Sequence, residues 1–137
     1  MKFKKLISVL CVLVCIFSVT TSAFASTYAS YQIDDYYMSV ISDDKQIYVD
    51  FSVTGTGRMG KIGCGSIYIY DSSSGRLVES FDENDSGMSA KNARKFANMV
   101  SADCTVGTRY KVVVTIFAEN SAGRDTRSQT FYVTGQA

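Results

Sequence analysis

Apolar and polar residues alternate along several stretches of the chain. The clearest stretch places four apolar residues at every second position: Ile47, Val49, Phe51 and Val53. The same period of two recurs at 66–70 and 110–119, in β-branched and aromatic residues. Alternate side chains of a strand point to opposite faces, so this period predicts strands. We predict further strands over 36–41, 77–81 and 131–133.

Clusters of Asp, Ser, Asn and Gly separate the predicted strands. They lie at residues 42–45, 71–75 and 120–123. These residue types favour turns, and short strands at this spacing are typical of antiparallel sandwiches and barrels. The pattern predicts one all-β, immunoglobulin-like antiparallel sandwich of about seven strands over residues 26–137.

Two segments depart from the simple alternation. Residues 89–100 fit a helix, with Ala93, Phe96, Ala97 and Val100 on one face, but they also fit a strand. Because every other segment is β, we favour a strand near 95–101, preceded by a helical turn. The glycine-rich residues 55–65 predict a bent strand connection or bulge.

The first 25 residues have the three parts of an export signal. Lysines at 2, 4 and 5 precede an apolar run over 6–19, and Ala23-Phe24-Ala25 fits a cleavage site. The run is shorter than the ~20 residues that a membrane-spanning helix needs. We expect cleavage before Ser26 and a secreted, extracellular or envelope-associated protein; a membrane anchor is the alternative.

Composition excludes several function classes. The 14 Lys and Arg nearly balance the 13 Asp and Glu, and three of the lysines fall in the signal. A chain without a basic excess is a poor binder of nucleic acid or of anionic membranes. Histidine is absent, which removes Ser-His and Cys-His nucleophile pairs and His metal sites. We expect no enzymatic activity, no cofactor, and no membrane span after cleavage.

Cys64 and Cys104 are the cysteines that remain after the signal. An even pair in an exported chain predicts a disulfide. A two-cysteine metal site is the alternative, but the sequence supplies no further soft ligands for it.

One segment resembles a known module. Gly107-Thr108-Arg109-Tyr110-Lys111-Val112-Val113-Val114, followed by Ala118-Glu119-Asn120-Ser121-Ala122-Gly123, is similar to the penultimate strand of fibronectin type III and related immunoglobulin-like modules. The resemblance implies that Tyr110 is a tyrosine-corner residue whose hydroxyl bonds to upstream backbone.

A second resemblance covers most of the chain after the signal. Thr54-Gly55-Thr56-Gly57-Arg58-Met59-Gly60-Lys61-Ile62-Gly63, then Ile67-Tyr68-Ile69-Tyr70, is similar to a group of small secreted proteins of Gram-positive bacteria. It implies secretion and a single β domain, and it supplies no site residues.

Acidic residues offer two weak candidate sites. Asp82, Asn84 and Ser86 precede Gly87 as in a calcium loop, but the acid expected at the twelfth position is Ala93. Asp34-Asp35 and Asp43-Asp44 could serve a small carboxylate-dependent hydrolase. Adjacent strand residues point apart, however, so solvated turns explain both pairs better than catalysis does.

Several apolar residues lie in the phase opposite the predicted core. In an immunoglobulin-like topology they would share one outer sheet face: Tyr68, Tyr70, Val113, Phe117 and Tyr132. Exposed aromatic patches commonly mark interaction sites. We expect a non-enzymatic module that binds a glycan or protein partner through this face. The alternatives are a self-associating surface protein, or a face covered by residues 28–33 or by another strand.

Overall fold

The computed structural model describes residues 31–137, and this part of the chain is all-β. It contains six strands and no helix: β1 (Ile33–Asp43), β2 (Gln46–Asp71), β3 (Leu77–Asp82), β4 (Ser89–Asp103), β5 (Arg109–Asn120) and β6 (Gly123–Thr134). Every strand pairing is antiparallel. The all-β, antiparallel prediction is confirmed. The predicted signal at 1–25 lies outside the described residues.

The 26-residue strand β2 is the spine of the molecule. Its residues 46–55 pair with β1 and 46–63 with β4, whereas 66–70 pair with β3 and 61–71 with β5, which in turn pairs with β6. The result is one strongly curled sheet, a half-barrel, and the predicted sandwich of two sheets is not confirmed.

The glycine-rich segment explains why two predicted strands are one. Residues 47–54 and 66–70 both belong to β2, because 55–65 continue the hydrogen-bonded ladder. The pairing register shifts between Thr54 and Met59 and again between Cys64 and Ser66. Such irregularities bend a strand and increase its twist, so the segment predicted as a bent connection or a bulge turns the sheet without ending the strand.

The concave face of the sheet holds the hydrophobic core. The buried positions of β2 and β5 follow the predicted phase: Ile47, Val49, Phe51, Val53, Ile67, Ile69, Tyr110, Val112, Val114 and Ile116. Met59 and Ile62 are buried at the bend. The Phe51 and Phe96 rings stack at 6.0 Å between centroids, which joins β4 to this core.

The ambiguous segment forms strand β4 from Ser89 onward. The strand prediction is confirmed, and the preceding helical turn is wrong because residues 89–93 already pair with β2. Asn92 adopts a φ of 52°, in a left-handed region that Asn tolerates better than most residues. This residue lies just beyond the β2–β4 register shift, between the pairs Met59–Ala93 and Lys61–Lys91.

Gly63 allows the β3–β4 loop to lie directly against β2. The Cys64 N–H donates to the Met88 carbonyl at 2.7 Å, and a β-carbon on Gly63 would overlap that carbonyl. Met88 is fully buried as a result. The loop is therefore fixed onto the sheet.

Strands β1 and β6 are joined at both ends, which closes one side of the half-barrel. The Ile33 N–H donates to Asp125 Oδ2 at 3.4 Å at one end. At the other end the Gln136 N–H donates to Ser42 Oγ at 2.9 Å, and the Lys45 N–H donates to the Gln136 carbonyl at 2.8 Å.

The predicted Cys64–Cys104 disulfide is wrong, because both cysteines are free. Cys64 lies beyond the bend of β2, opposite Ile116, where its thiol donates to the Thr115 carbonyl at 3.3 Å. Cys104 follows β4 and lies beside the β1–β2 turn, with its Sγ 3.6 Å from Ser42 Oγ. The two thiols thus lie in different halves of the sheet.

Candidate functional site: an outer tyrosine face

The outer surface of the β3–β2–β5–β6 part of the sheet gathers the predicted aromatic residues. The strand register places Tyr68 opposite Val113, and places Lys111 between Tyr70 and Tyr132. Four of the five predicted residues therefore meet on one surface: Tyr68, Tyr70, Val113 and Tyr132. We call this surface, together with the neighbouring side chains of Lys111 and Arg109, the tyrosine face.

Two basic side chains lie on the rings of the tyrosine face. Lys111 Nζ is 5.7 Å from the Tyr70 ring centroid, and Arg109 Cζ is 5.2 Å from the Tyr132 centroid. The Tyr68 and Tyr70 rings are 6.4 Å apart and tilted by 37°. Cation–aromatic contacts of this kind are worth about 0.5–1 kcal/mol at exposed sites. They hold the rings in a defined arrangement while leaving them at the surface.

The tyrosine face is open in the part of the chain that the structure describes. Tyr132 is 54% exposed and Tyr68 is 40% exposed, and Leu77 of β3 extends the apolar surface at 47%. Tyr70 and Val113 are half-buried by their neighbours. The surface therefore offers aromatic area to another molecule.

A shallow pocket opens between Tyr70 and Tyr132. It has a volume of about 450 Å³ and is lined by Tyr70, Asp71, Ser72, Gly75, Lys111 and Tyr132. The β2–β3 turn forms one wall. In this turn Asp71 Oδ1 accepts the N–H groups of Ser73 at 2.9 Å and Ser74 at 3.2 Å. An aspartate that caps its own turn fixes the wall of the pocket.

Phe117 is the exception, and its predicted exposure is wrong. It is fully buried although it lies outside the core cluster. The Arg124 guanidinium covers the ring, with Cζ 4.1 Å from its centroid. Residues 28–33 do not provide the cover as far as they are described: the Tyr31 carbonyl accepts the Thr56 hydroxyl at the glycine-rich segment, and 28–30 lie outside the described residues.

Arg124 is held in place by a cluster of charges. Its guanidinium donates two hydrogen bonds to Glu83, at 3.0 and 2.9 Å, and one to Glu119 at 3.1 Å. Lys61 Nζ lies 2.7 Å from Glu83. Hydrogen bonds from Arg124, and then from Lys61, lower the pKa of Glu83 to about 2. This Arg124 cluster attaches the β3–β4 loop to the sheet, which is a structural role.

Two oxygens of the weak calcium candidate at Asp82, Asn84 and Ser86 already accept hydrogen bonds. Asp82 Oδ1 accepts the Asn84 N–H at 2.7 Å, and Asn84 Oδ1 accepts Lys61 Nζ at 3.0 Å. Nothing in this geometry favours calcium there. Residues 31–137 contain no cluster of three or more His, Cys, Asp or Glu side chains that could hold a metal ion.

The acid pairs lie at opposite ends of β1. Asp34 and Asp35 lie at its start, and Asp43 and Asp44 lie at the turn into β2, where Asp43 Oδ1 accepts the Asp44 N–H at 3.0 Å. An 11-residue strand separates the two pairs, so they do not face each other across a cleft.

Sequence reasoning missed the basic residues and the turn of the tyrosine face. Arg109 and Lys111 share the outer phase of β5 with Val113, so alternation alone could have placed them there. Their pairing with Tyr70 and Tyr132 depends on strand register, which no motif in the sequence specifies.

Comparison with known proteins adds little to this geometry. Neither a protein-family model nor a curated protein matches the chain. Among solved structures, the chain is similar to a Bordetella pertussis protein provisionally assigned as ApaA, with 14% sequence identity and a TM-score of 0.48. The match covers 74% of this chain and 94% of that one. Similarity at this level carries no functional information.

Proposed function

We propose that the chain is a secreted, non-enzymatic module that binds a glycan through the tyrosine face. The observation that carries the proposal is the open row of Tyr70, Lys111 and Tyr132 beside a shallow pocket. The C–H face of a sugar ring is apolar and packs on the flat face of an aromatic ring. Tyrosine provides that ring together with a hydroxyl for the sugar's polar edge.

The surroundings of the rings favour a glycan over a folded protein. Polar groups line the pocket, including the Asp71 carboxylate, the Ser72 hydroxyl and the Lys111 ammonium. Binding sites for small polar ligands combine apolar walls with a few placed polar groups. A stable protein interface buries about 800 Å² on each partner around an apolar centre. The tyrosine face is instead a narrow row, flanked by exposed polar residues such as Ser80 and Thr130.

Secretion is part of the proposal. The export signal predicted over residues 1–25 supports it, as does the resemblance to small secreted proteins of Gram-positive bacteria. An extracellular or envelope location would bring the tyrosine face into contact with polysaccharides.

We further infer that the half-barrel is related to the immunoglobulin-like sandwich. The support is the buried Tyr110, whose hydroxyl accepts the Thr105 N–H at 2.8 Å. This is the kind of contact that the fibronectin type III resemblance implies.

A glycan array probed with the mature protein tests the function. We expect binding by the wild type and loss of binding by the Tyr70→Ala/Tyr132→Ala variant, since aromatic anchors dominate interface energies. Tyr37→Ala is the control, because Tyr37 is as exposed as Tyr132 but lies on β1, away from the face. Equal binding by wild type and double variant would contradict the proposal.

Size-exclusion chromatography over a range of concentrations tests the rival interpretation. A self-associating surface protein would elute earlier as its concentration rises, and the double variant would not. We expect a concentration-independent monomer. Association that depends on Tyr70 and Tyr132 would replace the glycan proposal with a structural one.

A further inference from the structure

Two cations on the tyrosine face have no acidic partner within residues 31–137. In this part of the chain, no carboxylate lies within 4.0 Å of Lys111 Nζ or of the Arg109 guanidinium. Both cations lie on tyrosine rings at the surface, where their positive charge is available to a ligand.

The one acid that lines the pocket, Asp71, forms no ion pair with these cations. Asp71 Oδ1 accepts two backbone N–H groups of its own turn, which directs the carboxylate toward the turn. Hydrogen bonds to backbone N–H groups stabilise a carboxylate without a basic side chain. Lys111 therefore lines the pocket beside an acid that is bonded elsewhere.

The two cations follow the line of the rings. Lys111 and Arg109 are two residues apart on β5, so both point to the outer face and their Cα atoms are about 7 Å apart. Lys111 pairs with Tyr132 across the sheet, and Arg109 lies over the Tyr132 ring. A sugar that packs on these rings would have a cation beside its substituents.

The turn favours a carboxylate over a phosphate. Phosphate sites usually offer several free backbone N–H groups or a cluster of cations. Here the N–H groups of Ser73, Ser74 and Gly75 all donate to Asp71. What remains is a single ammonium with a nearby guanidinium, which suits the single charge of a carboxylate.

We propose that the ligand is an acidic polysaccharide whose sugar units carry carboxylates, with Lys111 and Arg109 as the residues that select it. This inference rests on the proposed function, because it names the class of glycan that the tyrosine face binds. The sugar ring packs on Tyr70 or Tyr132, and its carboxylate accepts hydrogen bonds from Lys111 or Arg109.

Affinity electrophoresis of the mature protein tests this inference. The probes are polygalacturonate, alginate and hyaluronate, each compared with its methyl ester, which keeps the backbone and removes the charge. We expect retardation by at least one acid form and at least tenfold weaker binding of its ester, since the ester loses a hydrogen bond to a charged group. The Lys111→Gln/Arg109→Gln variant should bind that acid form as weakly as the wild type binds the ester.

The matched control is Lys91→Gln/Lys95→Gln, which removes the same charge from exposed positions on β4. We expect it to bind as the wild type does. If both double variants lose affinity equally, or if inorganic polyphosphate retards the protein as much as the acidic polysaccharide does, overall charge explains the binding. Either result would overturn the inference.

The remaining outcomes separate the two proposals. If the esters bind as tightly as the acids, and this binding depends on the tyrosines, the choice of an acidic ligand is overturned. The proposal of glycan binding then remains. Binding to none of these polymers, together with no binding on the glycan array, would overturn the proposed function and the inference with it.

Discussion

At the scale of single residues, Tyr110 links the start of β5 to the segment after β4. Its ring is buried and its hydroxyl accepts the Thr105 N–H at 2.8 Å. Tyr110→Phe keeps the ring and leaves that N–H without its partner. Because Thr105 lies at the surface, water replaces part of the bond, and we expect a loss of about 1 kcal/mol in the free energy of unfolding. Urea denaturation measures it.

Tyr68→Phe is the control for this substitution. Tyr68 is 40% exposed and its hydroxyl can reach water, so its removal should leave the urea midpoint unchanged. A Tyr110→Phe midpoint equal to that of the wild type would mean that the corner contact does not stabilise the fold.

The two thiols should differ in reactivity. Burial raises the pKa of the Cys64 thiol to about 12, and the thiolate is the reactive form. Cys104 is only half-buried. Without reductant, we expect a maleimide to label Cys104 alone in the native protein and both cysteines in denaturant, as read by mass spectrometry. If the denatured sample takes up no label, the two cysteines are bonded and the disulfide prediction is correct.

The sequence is a good guide to residues whose position depends on local phase. Period-two alternation places Tyr68, Tyr70 and Tyr132 on the outer side and Tyr110 in the core. It fails for Phe117, because burial there depends on Arg124 and on Glu83, which lies far away along the chain. The pairing of Cys64 with Cys104 failed because counting cysteines says nothing about the distance between them.

At the scale of elements, the outer surface of the second half of the sheet has a buried part and an exposed part. Phe117 lies sealed under Arg124, whereas Tyr68 lies open. Phe117→Ala should cost about 3–5 kcal/mol, and Tyr68→Ala about 1 kcal/mol or less. Thermal melts of the two variants give the comparison. Similar losses in both would show that the division is wrong.

The attachment of the β3–β4 loop should weaken in acid. Glu83 has a pKa of about 2 in the folded protein against 4.5 ordinarily. A lowered folded-state pKa gives stability that is complete above pH 4.5 and declines as the pH falls toward 2. Glu83→Gln should therefore be less stable than the wild type by about 1 kcal/mol at neutral pH, with a difference that shrinks below pH 4.5. Urea denaturation across pH measures this, and a difference that is constant down to pH 2 would refute the ion-pair explanation.

Strand existence was easier to predict than strand extent. The segments at 36–41, 77–81 and 110–119 all lie within observed strands. The chain from 46 to 71 reads as two strands because its glycines interrupt the apolar alternation. Bulges let the hydrogen-bonded ladder continue through these glycines. The sequence alone leaves a connection and a bulge both open.

At the scale of the whole molecule, the half-barrel keeps its core and the tyrosine face on opposite sides of one sheet. The core fills the concave side of the curled sheet, and the Arg124 cluster and the ends of β1 and β6 secure its edges. The tyrosine face lies on the outer side and belongs neither to the core nor to the contacts that secure the edges. The sequence predicted the all-β class through its dominant period. It did not predict the single curled sheet, because the bend of β2 depends on registers set by pairing across the chain.

The most direct test of the tyrosine face is to measure binding and folding together for Tyr70→Ala/Tyr132→Ala. The measurement pairs affinity electrophoresis, using the polysaccharide that retards the wild type, with a thermal melt of the same sample. We predict at least tenfold weaker binding and a single cooperative melt, as expected for a folded domain. Unchanged retardation, or a variant that no longer folds, would contradict the assignment of this face to recognition.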